Sequence, residues 1–239
     1  MRKIILLLFS FVLLCSAVGC SESTPSAKDT PQSAKTTVSN QSPEASTSLQ
    51  SPEAAPAKDP EPEPLVIPDP VVYTGSGDDV IEVKPFDDLY VIRITGNEEG
   101  RHFSVVNYDA QGNYLDLLVN TSDPYCGVVF DPSVSTAMLE ISATGSWTIE
   151  FISIYEMPVA LTGENIYGEG DAVFLTDGLC KIAEISGNSS ARHFAVKTYG
   201  SQSDLLVNTT EPYSGKVMIK NQPAIFVVNC ESDWSITLS

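Results

Sequence analysis

The chain repeats itself, and the length of the repeat limits what it can fold into. Gly75-Ser76-Gly77-Asp78 returns as Gly168-Glu169-Gly170-Asp171. Gly96-Asn97 followed by Arg101-His102-Phe103 returns as Gly187-Asn188 followed by Arg192-His193-Phe194. The run from Asp116 to Thr121 returns from Asp204 to Thr209, and Pro124-Tyr125 with Gly127 is answered by Pro212-Tyr213 with Gly215. Trp147-Thr148-Ile149 is answered by Trp234-Ser235-Ile236, so the spacing between counterparts falls from 93 to 87 residues, a drift that loops absorb. A unit of about 85 residues is too long for a solenoid repeat and long enough to own a core, which predicts a duplicated domain. The copies are expected over 71–157 and 158–239.

Within a copy, short apolar runs alternate with turn residues. In the first, strands are expected near Val80–Val83, Tyr90–Thr95, Phe103–Tyr108, Leu115–Asn120, Gly127–Phe130, Met138–Ala143 and Trp147–Ile154. The last shows the period clearly, with Trp147, Ile149 and Phe151 on one face and Thr148 and Glu150 on the other. Seven or so strands per copy and no helical period predict an all-β fold. The expected architecture is two tandem antiparallel β-sandwich domains, of jelly-roll or immunoglobulin-like strand order.

The repeated block resembles small β-sandwich modules of bacterial secreted and surface proteins. The residues that carry the resemblance are Gly77-Asp78, His102-Phe103, Leu117 to Asn120, Pro124 to Gly127 and Gly145 to Ile149. The second copy departs from it with Ser232-Asp233 before its Trp. The resemblance implies the sandwich fold and an extracytoplasmic setting, and it carries no activity. More loosely, such modules are similar to carbohydrate-binding and pre-peptidase C-terminal sandwich domains.

Ahead of the repeats, Arg2 and Lys3 precede an apolar run from Ile4 to Leu14 broken only by Ser10. That run is short of the about 20 residues a bilayer needs and suits the centre of a signal peptide over 1–19. It ends in Ala17-Val18-Gly19-Cys20, which resembles the lipobox of bacterial lipoproteins, with Ala17 where Leu is commoner. The resemblance implies a diacylglyceryl group on Cys20 and a membrane partnership through lipid alone, on the extracytoplasmic face of the cell membrane or on an outer membrane. Each buried acyl CH₂ contributes about 0.8 kcal/mol. Cleavage without lipidation is the competing outcome.

Residues 20–70 are dominated by Ser, Thr, Pro, Ala, Gln and Glu, with Leu65-Val66-Ile67 the main apolar group. So little apolar surface cannot offset the entropy of ordering, so a disordered linker is expected there. It would reach about 150 Å stretched and nearer 40 Å as a coil. From Val71 to Ser239, 8 Lys and Arg stand against 23 Asp and Glu, a net charge of −15. That argues against nucleic acid, anionic lipid surfaces and phosphate-rich wall polymers as partners, and is compatible with a cationic partner, Ca²⁺ or a neutral glycan.

The chain has two histidines, His102 and His193, at equivalent positions. Arg101 and Asp116 are candidates to join His102 in a ligand site, as are Arg192 and Asp204 for His193. The competing role is to close a loop ahead of Phe103 and Phe194. Tyr125 and Tyr213, each following Pro, are candidates for exposed aromatic contacts, whereas Trp147 and Trp234 sit on the apolar period and are expected in the core. Asp78, Asp79, Asp87 and Asp88 supply hard oxygen ligands for Ca²⁺ on presumed turns, against a plain turn-forming role. Cys180 and Cys230, in early and late strands of one copy, are candidates for a disulfide that an exported protein can form.

No nucleophile elbow, HExxH or phosphate loop is present, which argues against an enzyme. The expectation is a lipid-anchored, non-enzymatic protein whose tandem domains bind or present an envelope ligand, a wall glycan or a protein. The alternative is a structural spacer or accessory subunit without its own ligand, and a hydrolase or enzyme inhibitor ranks below both.

Overall fold

Val71–Ser76 (β1) alternates half-buried Val71, Tyr73 and Gly75 with exposed Val72, Thr74 and Ser76, the period of a strand with one face on a core. It is the first element of a computed structural model that describes residues 66–239. The signal peptide, Cys20 and nearly all of the linker therefore lie outside the described residues. The strands that follow in the first half are β2 (Asp79–Glu82), β3 (Tyr90–Gly96), β4 (Phe103–Tyr108), β5 (Tyr114–Thr121), β6 (Tyr125–Val129), β7 (Met138–Ser142) and β8 (Ser146–Ser153). A 3-10 turn at Ile154–Glu156 leads to β9 (Val159–Ala160). The second half contains β10 (Asn165–Glu169), β11 (Ala172–Thr176), β12 (Ile182–Gly187), β13 (Phe194–Tyr199), β14 (Asp204–Thr209), β15 (Tyr213–Met218), β16 (Ile225–Cys230) and β17 (Asp233–Leu238).

The protein is all-β. Four sheets form, and apart from β9, which runs parallel to β11, every pairing is antiparallel. We number them by stacking order. Sheet I is β2-β7-β4-β5 and sheet II is β1-β8-β3-β6; sheet III is β14-β13-β16-β11-β9 and sheet IV is β10-β17-β12-β15. Order 1-8-3-6 facing order 2-7-4-5 is the jelly-roll arrangement, and the second half repeats it, so of the two strand orders left open by the sequence the jelly roll is the one formed. Each half has eight strands in this pattern rather than seven. The eighth is β1, with β10 as its counterpart; glycines at 75 and 77 give it the look of a turn.

Sheets I and II close on a core that includes Ile92, Phe103, Leu139, Trp147 and Phe151. Sheets III and IV close on another that includes Phe174, Phe194, Phe226, Trp234 and Ile236. A third cluster joins the halves: Val91, Phe130, Ile152 and Ile154 from the first meet Val173, Leu175, Ile225 and Val227 from the second. The outer face of sheet II thus packs on the outer face of sheet III, giving a stack of four sheets.

The sequence explains which sheets lie inside. β11 reads Ala-Val-Phe-Leu-Thr and β16 Ile-Phe-Val-Val-Asn-Cys, continuous apolar runs buried on both faces. Their counterparts in the first half, β2 and β7, place Glu82 and Glu140 where β11 and β16 have Leu175 and Val227, and sheet I keeps one face in solvent.

Candidate functional site

The joint between the halves is polar at one edge. Val128 N–H donates to the Asp171 carbonyl at 3.0 Å, tying the edge strand β6 to the start of β11. Alongside it the Tyr125 hydroxyl donates to Asp171 Oδ2 at 2.7 Å, while Asp171 Oδ1 accepts the Cys230 N–H at 2.9 Å. Burial pushes the Asp171 carboxyl above the ordinary carboxylate range against the pull of these donors, and burial beside that carboxyl pushes the Tyr125 phenol up as well. Gly127 makes room for the arrangement, because a Cβ there would stand 2.8 Å from Tyr125 Cζ and 3.1 Å from Asp171 Cβ. Arg192 spans the same seam, with Nη2 3.8 Å from Asp123 of the first half and Nη1 3.3 Å from Glu231 of the second.

Beside this joint lies a cleft of about 660 Å³, within the range of small-ligand sites. Its walls come from both halves. Asp116, Tyr125 and Cys126 stand on one side, and His193, Lys197 and Asn229 on the other. Further carboxylates at Asp123, Glu169 and Glu231 line it, so the cleft is predominantly acidic with a basic pair on the sheet III side. His193 Nε2 lies 3.2 Å from Asn208 Oδ1, and the cleft offers a phenol, an imidazole, amides, carboxylates and the exposed Cys126 thiol for hydrogen bonding to a polar guest.

The candidate residues are therefore redistributed. Asp116 and Tyr125 of the first repeat and His193 of the second share one cleft, with Arg192 ion-paired to two residues that line it. The clusters expected within each repeat do not form the cleft. His102 is exposed, and Arg101 lies 3.8 Å from Glu99. Asp204 faces Lys220 at 3.7 Å, and Tyr213 packs on Phe194 with ring centroids 6.4 Å apart. The Gly-Asn…Arg-His-Phe block has a structural task instead. Buried Asn97, at φ 62°, donates to the Arg101 and Asp123 carbonyls and accepts from Arg101 N–H; Asn188, at φ 65°, does the same with Arg192 and Glu211. Asparagine tolerates that left-handed backbone, and its side chain closes the loop.

Among the described residues no group of three or more His, Cys, Asp or Glu side chains is placed to hold a metal ion. Asp78 Oδ1 accepts from Ala143 N–H and Ser142 Oγ, Asp79 and Asp88 each accept the next backbone N–H, and Asp87 is exposed. The expected Ca²⁺ ligands thus act separately, three of them as turn acceptors. Cys180 and Cys230 are both buried in the core between sheets III and IV, yet each is a free thiol, so the expected disulfide is not formed in this structure. Trp147 and Trp234 are buried as expected, their indole N–H groups donating to the Gly77 and Gly170 carbonyls at 3.1 and 2.9 Å.

Asp171, Lys197, Cys126 and Asn229 are site residues that the sequence pattern did not single out. Asp171 stood in the repeated Gly-x-Gly-Asp block, and the unbroken apolar run that follows it marks a strand with a second buried face. No described helix is long and apolar enough to cross a membrane. No family model matches the chain, and no curated protein is similar to it. Among solved structures, the regulatory subunit of a cAMP-independent protein kinase A from Trypanosoma cruzi bound to guanosine is 9% identical over 71% of this chain and 72% of that one, at a TM-score of 0.22, from which nothing about fold or ligand transfers.

Proposed function

We propose that this chain is a lipid-anchored, extracytoplasmic, non-enzymatic protein that binds an envelope ligand in the cleft between its two jelly rolls. The observation that carries the reading is the convergence of Asp116, Tyr125 and His193, from separate repeats, on one cavity of about 660 Å³. The acidic walls and the net charge of −15 over residues 71–239 favour a guest bearing amines or guanidinium groups, such as a basic segment of an envelope protein. A wall glycan ranks second, because the two tryptophans best suited to stack on a sugar are 3% and 5% exposed and serve the cores. Cys20 would supply the anchor and residues 20–70 the reach.

The four-sheet stack, with its halves joined by an apolar cluster, supports one other reading, a spacer that holds something else away from the membrane without a ligand of its own. The two separate by experiment. The full chain, immobilised and exposed to solubilised envelope proteins and to a glycan array, should retain a basic protein, and the double variant Asp116→Ala with His193→Ala should retain at least tenfold less. Equal capture by the variant, or silence on both, overturns the binding reading. For the anchor, Cys20→Ser should move the protein from the membrane fraction to a detergent-free supernatant, and unchanged retention overturns it.

A further inference from the structure

The joint inside the molecule is not symmetric. It sets a sheet of order 1-8-3-6 (sheet II) on a sheet of the opposite kind (sheet III), so each end of the molecule presents the complement of the other. Sheet IV is of the same kind as sheet II, sheet I is of the same kind as sheet III, and the outer faces of both are open. A face of one kind resting on the other, without a two-fold axis, is a contact that can recur from molecule to molecule.

Several parts of the joint recur at or beside these outer faces, although Tyr213 itself stands on the core-facing side of the edge strand β15 and packs on Phe194, as Tyr125 packs on Phe103 in β6. Tyr213 lies over Gly215 as Tyr125 lies over Gly127, and its hydroxyl has no hydrogen-bond partner among the described residues. Asp78 gives Oδ1 to the Ala143 N–H, as Asp171 gives Oδ1 to Cys230, and keeps Oδ2 free, the atom that at Asp171 receives the tyrosine. Met218, 69% exposed, is the counterpart of Phe130, whose ring meets Tyr199 at 5.1 Å; the counterpart of Tyr199 is Tyr108, on the open face of sheet I. A thioether on a tyrosine ring is a favourable substitute for the ring pair. Ile182, 42% exposed, and Val80, 67% exposed, stand where Val91 and Val173 are buried in the joint.

We propose that copies of this chain stack head to tail, the outer face of sheet IV of one copy resting on the outer face of sheet I of the next, with Tyr213 donating to Asp78 of its neighbour. Four positions weaken the contact relative to the internal one: Glu82 and Glu140 stand in place of Leu175 and Val227 on sheet I, and Lys216 and Ser239 stand in place of Val128 and Ile152 at sheet IV. Like net charges on the two copies oppose it further, so association strengthens with protein density and with ionic strength.

Cross-linking of the full chain tests the order directly. With Cys15→Ser, Cys20→Ser and Cys126→Ser throughout, which leaves the buried Cys180 and Cys230, a short bifunctional maleimide should give a ladder of dimers and larger multimers when Asp78→Cys and Tyr213→Cys are both present. Either change alone should leave monomer. The pair Tyr108→Cys with Met218→Cys reads the same contact without touching the Asp78 turn, and should give the same ladder, reduced at least fivefold by Ile182→Glu. Monomer with both pairs overturns the proposal, as do dimers from any single change, which would mean a two-fold contact.

Discussion

Tyr125 and Asp171 join the two halves through a 2.7 Å hydrogen bond that has no equivalent inside either half. The counterpart residues, Tyr213 and Asp78, are both present but belong to opposite ends of the four-sheet stack, in sheet IV and at the start of sheet I. The bond therefore belongs to the way the halves stack and not to the repeat itself.

A first prediction separates the two tyrosines. Tyr125→Phe leaves Asp171 Oδ2 buried without its donor, and losing a hydrogen bond to a charged group costs about 1.5–3 kcal/mol. Tyr213→Phe removes a hydroxyl that has no hydrogen-bond partner among the described residues, so the cost for dilute protein should stay within about 0.5 kcal/mol. Urea unfolding of both variants at low concentration checks the difference; equal losses would mean that the Tyr125 bond does not hold the halves together.

How far the fold was legible follows from the same distinction. Strands facing one core alternate, and β8 with its Trp147-Ile149-Phe151 period could be read directly. β1 escaped because Gly75 and Gly77 suggest a turn, although Gly75 is in fact the strand position over which the Trp147 ring lies. The four-sheet stack was written only as a contrast between copies: Leu175 and Val227 against Glu82 and Glu140. The site was half legible. Asp116, Tyr125 and His193 could be picked out, but their grouping depends on which sheet faces meet, and residues sorted copy by copy cannot show that.

Tyr90 and Asp131 give the stability a pH dependence at both ends. Asp131 is buried and would be raised by that burial, but the hydroxyls of Ser133 and Thr136 and nearby backbone N–H groups outweigh it and hold its carboxyl below the ordinary value. A depressed folded value means stability that is present above the unfolded pKa of 3.8 and lost as pH falls through the folded one. The Tyr90 phenol, which donates to Asp131 Oδ2 at 3.2 Å, is pushed by burial from 10.0 up to about 12. A raised folded value means stability that is complete below pH 10 and lost as pH rises toward 12. Thermal unfolding across pH should show the gap between wild type and Asp131→Asn narrowing below pH 3.8, and that between wild type and Tyr90→Phe narrowing from 10 to 12. Gaps that stay constant across those windows would exclude both groups.

The paired Gly and Trp of each repeat make a third test. The Trp234 ring lies against Gly168 so closely that a Cβ would stand 2.6 Å from Cζ2, and Trp147 covers Gly75 in the same way. Overpacking of this kind costs about 1–3 kcal/mol. Gly168→Ala should therefore destabilise the protein by that amount and alter the near-UV circular dichroism of the indole. Gly145→Ala, at a glycine with open space around its Cβ position, is the control and should do neither. An unmoved indole signal in Gly168→Ala would contradict the packing.

The cluster between sheets II and III should make the two jelly rolls unfold together. Val91, Phe130 and Ile152 lose their cover if the second half melts, and Val173, Leu175 and Val227 lose theirs if the first does. Opening either half alone would expose apolar surface on the other, at about 25 cal/mol per Å². Each half carries one tryptophan, so Trp234→Phe leaves fluorescence that reports the first half and Trp147→Phe leaves fluorescence that reports the second. In either variant the urea midpoint by fluorescence should coincide with that by far-UV circular dichroism, the mark of one cooperative transition. Adding Phe130→Ala removes the largest buried side chain that the first half contributes to the joint, a truncation worth about 3–5 kcal/mol. The two midpoints should then separate, because the halves still own their cores but no longer share the third. Separate midpoints without Phe130→Ala would mean that the joint contributes too little to couple them.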